Sequence, residues 1–184
     1  MTRVRTRFTI RGATPADANS IAELSGSLGY PVSVATMRSR IERVIASVAD
    51  LLNVAEDDSG FIAGWLQAHA TPTVESGFRV EIIGLIVSQK WRRHGIGRRL
   101  VAETERWAVG MSAETIVVRS NAQRAESHHF YPALGYLEAK TQIVYRKPLK
   151  AVNQQVQAAT DDALISPANG EQSIHWAGGG SAGS

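Results

Sequence analysis

Residues 80–100, VEIIGLIVSQKWRRHGIGRRL, most constrain what this chain can fold into. An apolar run at residues 82–87 is rich in β-branched side chains and predicts a buried strand. After a short polar link, the loop at residues 92–97 leads into a helix that begins near Arg98. First-turn amides of a helix have no intrahelical partner, and the helix dipole adds positive charge there. The stretch therefore predicts an anion site, where Gly95 and Gly97, lacking a Cβ, would let a phosphate approach the backbone.

The loop does not match two widespread phosphate-binding motifs. The dinucleotide fingerprint needs a third glycine, but Arg99 and Leu100 stand where it is expected. The Walker loop, Gly-x-x-x-x-Gly-Lys-Ser/Thr, is absent from the chain. The anion should therefore belong to another class of phosphorylated compound.

Positive charge is concentrated around this loop. Five of the 20 basic residues lie within ten consecutive positions: Lys90, Arg92, Arg93, Arg98 and Arg99. Such a cluster attracts polyanions, including nucleic acids. No recognition-helix motif, zinc finger or aromatic RNA-binding signature accompanies it, so we expect a phosphorylated cofactor and no nucleic-acid partner.

Length and composition set the remaining bounds. With 184 residues and 43% hydrophobic content, one globular domain at residues 8–150 is expected. Residues 151–184 are rich in Gln, Asn, Ala, Ser and Gly and predict a low-complexity, disordered tail. The absence of cysteine excludes disulfides, cysteine-based zinc sites and a thiol nucleophile. We find neither an apolar run of the ~20 residues that a membrane span needs nor a signal peptide, so we expect a cytoplasmic protein that does not enter membranes.

The rest of the chain predicts alternating helices and strands. A helix should begin at Thr14, with Pro15 in its first turn and Asp17 in the capping-box position. Ser33 should cap a second helix. Further predicted elements are strands at residues 7–11, 51–55, 61–70 and 115–119, a helix at 122–134 that Pro132 should bend or shorten, and one or two strands within 136–149.

Two motifs support a family resemblance. Arg92-Arg93-His94-Gly95-Ile96-Gly97 matches Gln/Arg-x-x-Gly-x-Gly/Ala, and Asn121 followed by Phe130-Tyr131-Pro132-Ala133-Leu134-Gly135-Tyr136 is similar to Asn…Phe-Tyr-x-x-x-Gly-Phe. With the order of elements over residues 8–149, they resemble the GNAT superfamily of N-acetyltransferases. The resemblance implies an α/β (α+β) fold with a central mixed, mostly antiparallel sheet flanked by helices. Three positions depart from the family pattern: Gln89 replaces a common proline, Arg93 a common glycine and Tyr136 a phenylalanine.

The resemblance implies acetyl-CoA as cosubstrate, with no metal. The main chain of residues 85–87 would pair with the pantetheine arm, amides of the loop would hold the pyrophosphate, and Asn121 would contact the pantetheine or position the substrate. The implied cofactor-binding residues are Leu85, Ile86, Val87, Arg92, Arg93, His94, Gly95, Ile96, Gly97, Arg98 and Asn121.

Acetyl transfer to an amine needs a base, an oxyanion donor and an acid for the departing thiolate. By resemblance, Glu81 is the general base, Tyr131 the general acid, and the Val87 amide the oxyanion donor. Two structural alternatives stay open: Glu81 could instead pair with Arg79 or another arginine, and Tyr131 could be a core tyrosine. His69 and His94 are isolated in the sequence, and we expect His94, in the loop, to face solvent or phosphate and not to take part in catalysis.

We therefore expect an enzyme that moves an acetyl group from acetyl-CoA to a primary amine, by direct attack in a ternary complex. Glu81 and the lack of an appended domain favour a small-molecule acceptor. The alternatives are a peptide or protein acetyltransferase and a catalytically silent acetyl-CoA-binding module. Acidic residues around the acceptor cleft would favour cationic small molecules, whereas an open groove would favour peptides. Dimers are common in the superfamily, so a homodimer is one expectation for the oligomeric state.

Overall fold

A computed structural model describes residues 6–27, 29–121 and 125–147. The strands within these ranges are β1 (Phe8–Gly12), β2 (Asp50–Asp57), β3 (Ile62–Thr73), β4 (Gly77–Val87) and β5 (Thr115–Val118). The helices are α1 (Ala18–Gly26), α2 (Val34–Ile45), α3 (Ile96–Gly110) and α4 (Ala125–Phe130), with short 3₁₀ turns at Pro15–Asp17, Gln89–Trp91 and Pro132–Leu134. None of the helices in these ranges is long and apolar enough to span a membrane.

The described strands form one sheet in the order β1-β2-β3-β4-β5. All neighbours are antiparallel except β4 and β5, which run parallel. Helix α3 connects the parallel pair, as a crossover connection requires. This is the mixed, mostly antiparallel sheet flanked by helices that the family resemblance implies.

Each face of the sheet has its own apolar core, which follows from the alternation of side chains along a strand. On β3, Leu66, Ala68 and Ala70 point to the face covered by α3, where they meet Leu100 and Val101. We call this the α3 face. The opposite face, which we call the α1–α2 face, packs apolar residues of β2 and β3 against the two N-terminal helices, including Ile21, Met37, Ile41, Leu52 and Val54.

The predicted start of the first helix is confirmed. The Asp17 carboxylate accepts a hydrogen bond from the Thr14 amide at 2.7 Å, and a 3₁₀ turn beginning at Pro15 precedes α1. Arg11 donates to both Asp17 oxygens at 2.8 Å and also contacts Glu56, which joins the helix start to β1 and β2. This network ties the first helix to the sheet edge.

The C-terminal part differs from expectation. The helix predicted at 122–134 is shorter in the structure, where α4 ends at Phe130, two residues before Pro132. Residues 122–124 lie outside the described ranges. The strands predicted within 136–149 are wrong for residues 136–147, which are not in any strand. Their alternation favours an extended chain, but a strand also needs a backbone partner, and side chains such as Ile143 and Tyr145 are exposed. Residues 148–184, including the predicted tail, lie outside the described ranges.

Candidate active site

The loop after β4 is fixed by an aromatic anchor. The Trp91 ring packs edge-on against Phe8 at a centroid distance of 5.0 Å, next to the core of the α3 face. His94 lies 5.5 Å from Trp91, and its Nδ1 is 2.7 Å from the Arg92 carbonyl oxygen. With the proton on Nδ1, His94 donates to this carbonyl, so it shapes the loop. These contacts of Trp91 and His94 stabilise the conformation of the loop.

Two loop residues adopt left-handed backbone conformations, Arg93 with φ +66° and Gly95 with φ +79°. Glycine tolerates this region without strain, whereas other residues adopt it at some cost. The space beside the Gly95 α-carbon is open, and no side chain caps α3, which Gly95 precedes. The first-turn amides of α3 therefore face an open approach, as an anion site requires.

Gly97 has a packing role that the sequence did not reveal. A Cβ at this position would lie 3.2 Å from Cζ of Phe130, the last residue of α4. The end of α4 thus rests on the first turn of α3, and Tyr131 follows directly. The Tyr131 ring contacts those of Phe130 and Tyr136 at 5.1 and 5.6 Å. This contact brings the tyrosine predicted as general acid to the same end of the sheet as the loop.

The parallel pairing of β4 with β5 ends before β4 does. Their ladder runs from Arg79 opposite Thr115 to Ile82 opposite Val118 and ends there. Beyond it, the β5 side of residues 85–87 has no partner strand in the described part of the chain. Because Ile86 and Ile96 are buried, their side chains are not available to a ligand. Asn121 is exposed three residues after β5.

A β-bulge lies in the middle of this region. Gln67 pairs with Gly84, but Ala68 pairs with Ile82, so Ile83 is the extra residue on β4. The Gly84 α-carbon faces the Trp65 ring, which a Cβ would approach to 3.0 Å. Sequence reasoning missed the bulge, although Gly84 within a strand pattern is a recognised signal for one. Beyond the bulge, the side-chain alternation of β4 is reversed.

Glu81 lies between two arginines. Its carboxylate is 3.6 Å from Arg79 and 3.2 Å from Arg119, and its side chain is 15% exposed. The ion pair that the sequence left open as an alternative is therefore present. It does not use every acceptor position, since a carboxylate offers about four lone-pair sites. Arg119, which follows β5, is the second arginine of this ion pair, and the sequence did not identify it.

His69 is isolated in the sequence, but the fold places it beside two acidic residues. It pairs in register with Glu81 on the neighbouring strand, and its Nδ1 lies 3.1 Å from Asp50. This proximity depends on the β2–β3–β4 register, which the sequence does not state. In the described ranges, no three His, Asp or Glu side chains are grouped to hold a metal ion.

Tyr136, which stands where the resembling family pattern has phenylalanine, has its hydroxyl buried close to Glu105. Burial raises the pKa of this phenol well above its usual range, and the nearby charge of Glu105 raises that pKa further. The ring packs with the core of the α3 face and against Tyr131. Tyr136 is therefore a neutral phenol whose ring packs against that of Tyr131.

Comparisons with known proteins point in one direction. The model of the Acetyltransferase (GNAT) family matches residues 23–136, more than half of the chain. An aminoglycoside N(6')-acetyltransferase type 1 of Stenotrophomonas maltophilia is 24% identical over 146 residues, covering 77% of this chain and 94% of the relative.

Solved structures share the fold at low identity. An aminoglycoside N-acetyltransferase solved in complex with CoA is 19% identical with a TM-score of 0.70, over 80% of this chain and 99% of that one. The glucosamine-6-phosphate N-acetyltransferase of Arabidopsis thaliana is 19% identical with a TM-score of 0.67, over 76% of this chain and 98% of that one. The acceptors named for these proteins differ, so the shared fold does not specify an acceptor.

Proposed function

Because the chain belongs to the GNAT acetyltransferase family and is an acetyl-CoA-dependent N-acetyltransferase, we propose that it acetylates a primary amine of a small molecule by direct attack in a ternary complex. The observation that carries the proposal is the combination of a β4 segment that extends beyond the end of β5 with an α3 N-terminus that no side chain caps. An extended ligand could pair with the free side of that β4 segment, and a phosphate could bind the helix N-terminus.

The cosubstrate would be held mainly by backbone groups. The β5 side of residues 85–87 has no partner strand in the described part of the chain and would pair with the pantetheine arm, next to the Val87 carbonyl that accepts from Arg92 Nε at 3.4 Å. The first-turn amides of α3 offer donors to the pyrophosphate. Arg92 and Arg93 of the loop and Arg98 of α3 can add charge-assisted hydrogen bonds. Asn121, beyond β5, would contact the pantetheine or position the acceptor.

Two side chains would move protons. Acetyl-CoA, when bound, supplies the thioester from which the acetyl group passes to the amine. Glu81 takes the proton that the acceptor nitrogen must lose, directly or through a water molecule. Tyr131 gives a proton to the departing sulfur, a role that suits a neutral phenol. The Val87 amide donates to the oxygen on which negative charge develops.

A small-molecule acceptor is supported by the relatives' names. They describe acetylation of an aminoglycoside and of glucosamine 6-phosphate, both of them small amines. Glu81 lies one residue before the last β4–β5 pair, a position that agrees with proton removal beside the exposed part of β4. A peptide acceptor and a silent acetyl-CoA-binding module remain outcomes of the experiment below.

The test combines binding and turnover. Calorimetry should show that acetyl-CoA binds, and a thiol-release assay over a panel of small amines and lysine peptides should show which acceptor releases CoA. Failure of folded protein to bind acetyl-CoA would overturn the whole proposal. Binding without turnover of any amine would favour the silent module, and turnover of peptides alone would favour the peptide acetyltransferase.

A matched glycine pair tests the loop. Gly95 and Gly60 both have positive φ, +79° and +85°, and open space beside the α-carbon, but Gly60 lies in the turn between β2 and β3. Substitution by alanine should therefore lower stability equally, by about 1 kcal/mol. Only Gly95→Ala should also weaken acetyl-CoA binding. Equal affinities in the two variants would contradict the assignment of the loop.

A further inference from the structure

The α1–α2 face of the sheet changes from apolar to polar along β3. Trp65, Gln67 and His69 point to this face in succession, and Trp65 belongs to the core beneath α1 and α2. Further along, the side chains are polar. We call this group the polar floor: Asp50, Gln67, His69, Arg79, Glu81 and Arg119.

Donors outnumber acceptors on the polar floor. Two guanidinium groups, those of Arg79 and Arg119, share the single carboxylate of Glu81. The other carboxylate, that of Asp50, contacts His69. Each guanidinium carries five N–H groups and no acceptor, so the Glu81 carboxylate cannot satisfy both, even with the Ser76 hydroxyl accepting from Arg79 Nη1 at 3.4 Å.

One of these donors is buried. Arg79 Nε is shielded from solvent and has no hydrogen-bond acceptor in the described part of the chain. Trp65 Nε1, on the same face, is in the same state. A buried N–H without an acceptor costs free energy, so such groups usually have a partner in the functional state. Both groups need an acceptor, and neither would gain from an additional cation.

We propose that the acceptor amine also carries an oxyanion, a carboxylate or a phosphate, that binds Arg79 and Arg119. This inference rests on the proposed function and specifies its substrate class. A planar guanidinium fork matches the two oxygens of such a group. Arg119 has a 57% exposed side chain and can receive the anion from solvent, whereas Arg79 lies deeper, at 22%.

The same arrangement disfavours polycations. A polyamine or aminoglycoside would bring several positive charges towards Arg79 and Arg119, and juxtaposed like charges reduce affinity. A cleft that favours cationic substrates would be acidic, whereas the polar floor holds as many guanidinium groups as carboxylates. The chain would therefore differ in substrate class from the relatives named for aminoglycosides.

The experiment uses matched pairs of amines that differ by the anionic group. The probes are glucosamine 6-phosphate with glucosamine, β-alanine with β-alaninamide, and kanamycin and spermidine as polycations. Thiol release at low ionic strength should give kcat/KM at least about tenfold higher for an anionic member than for its neutral partner and for both polycations. A higher value for the neutral or polycationic probes would overturn the inference and leave the proposed function intact. Turnover of no probe, by protein that binds acetyl-CoA, would overturn both.

Substitution of Arg119 separates recognition from structure. Arg119→Gln should lower kcat/KM for the preferred anionic amine about tenfold more than for its neutral partner, because a change at Glu81, which Arg119 also contacts, affects both members of the pair alike. Arg119→Lys keeps the charge but not the fork, and should lie between the two. Arg106→Gln is the control, because Arg106 is exposed on α3, on the other face, and pairs with Glu103. If Arg119→Gln slows both members of a pair equally, the inference is wrong.

Discussion

Gly64 is the position where an added methyl group should damage the cosubstrate strand most. It pairs with Val87, and a Cβ there would lie 2.6 Å from the Ile86 carbonyl oxygen and 3.2 Å from the Val87 α-carbon. Both atoms belong to the backbone and cannot rotate away. In Gly64→Ala, β3 and β4 must therefore move apart beside residues 85–87.

The magnitude follows from the overlap. Overpacking costs about 1–3 kcal/mol, and a rigid backbone neighbour favours the upper half of that range. Alanine recovers part of this through better strand propensity, so we expect a net loss of about 2 kcal/mol. For a domain of this size, the midpoint of thermal unfolding should fall by roughly 6 °C. Gly12→Ala, in a strand position with nothing near the missing Cβ, is the control.

Thermal unfolding and calorimetry with acetyl-CoA measure the two consequences. Gly64→Ala should lower the unfolding midpoint and weaken acetyl-CoA binding, because the backbone groups of residues 85–87 shift. Gly12→Ala should change neither. A Gly64→Ala midpoint within about 1 °C of the parent protein would refute the steric reasoning.

Three further predictions concern protons. Tyr131→Phe should lower kcat about 100-fold and leave acetyl-CoA affinity unchanged by calorimetry, whereas an unchanged kcat would exclude Tyr131 as the acid. Glu81→Gln should move the pH optimum of the rate upward, towards the amine pKa of about 10.4, because the acceptor must then lose its proton without a base. An unshifted pH–rate profile would mean that Glu81 forms ion pairs and does not act as the base. Hydrogen bonds from Arg11 lower the pKa of Asp17, so its contribution to stability is present above about pH 4 and lost as the pH falls through the lowered pKa. Asp17→Asn should therefore lower the free energy of unfolding at neutral pH by about 1–3 kcal/mol and make unfolding less dependent on acid pH. An unchanged dependence on acid pH would show that the titration of Asp17 is not coupled to folding.

Local signals in the sequence predicted the elements well. The Thr14-to-Asp17 segment specifies a helix start through neighbours three residues apart, and the structure has it there. The strand, loop and helix around Gly95 were predicted for the same reason, since turn, strand and helix signals act over a few residues. Gly135 of the second motif has φ +92° and ends the 3₁₀ turn at Pro132–Leu134.

Contacts between distant segments could not be predicted. The approach of His69 to Glu81 depends on which residues pair across β3 and β4, and the bulge at Ile83 changes that register. The packing of Gly97 against Phe130 depends on how α4 docks. The strands predicted after Tyr136 failed for the same physical reason, because alternation gives a propensity while the partner comes from elsewhere in the chain.

The four-residue ladder between β4 and β5 has a consequence for how the domain unfolds. The β3–β4 ladder extends over ten pairs and the β4–β5 ladder over four, so the last described strand is attached by few backbone hydrogen bonds. Segments with so few bonds open first in native-state hydrogen exchange. A ligand lying between these two strands would bridge them, and its binding energy would add to the stability of this last strand. Binding of the ligand and stable pairing of β5 with β4 would then be thermodynamically coupled.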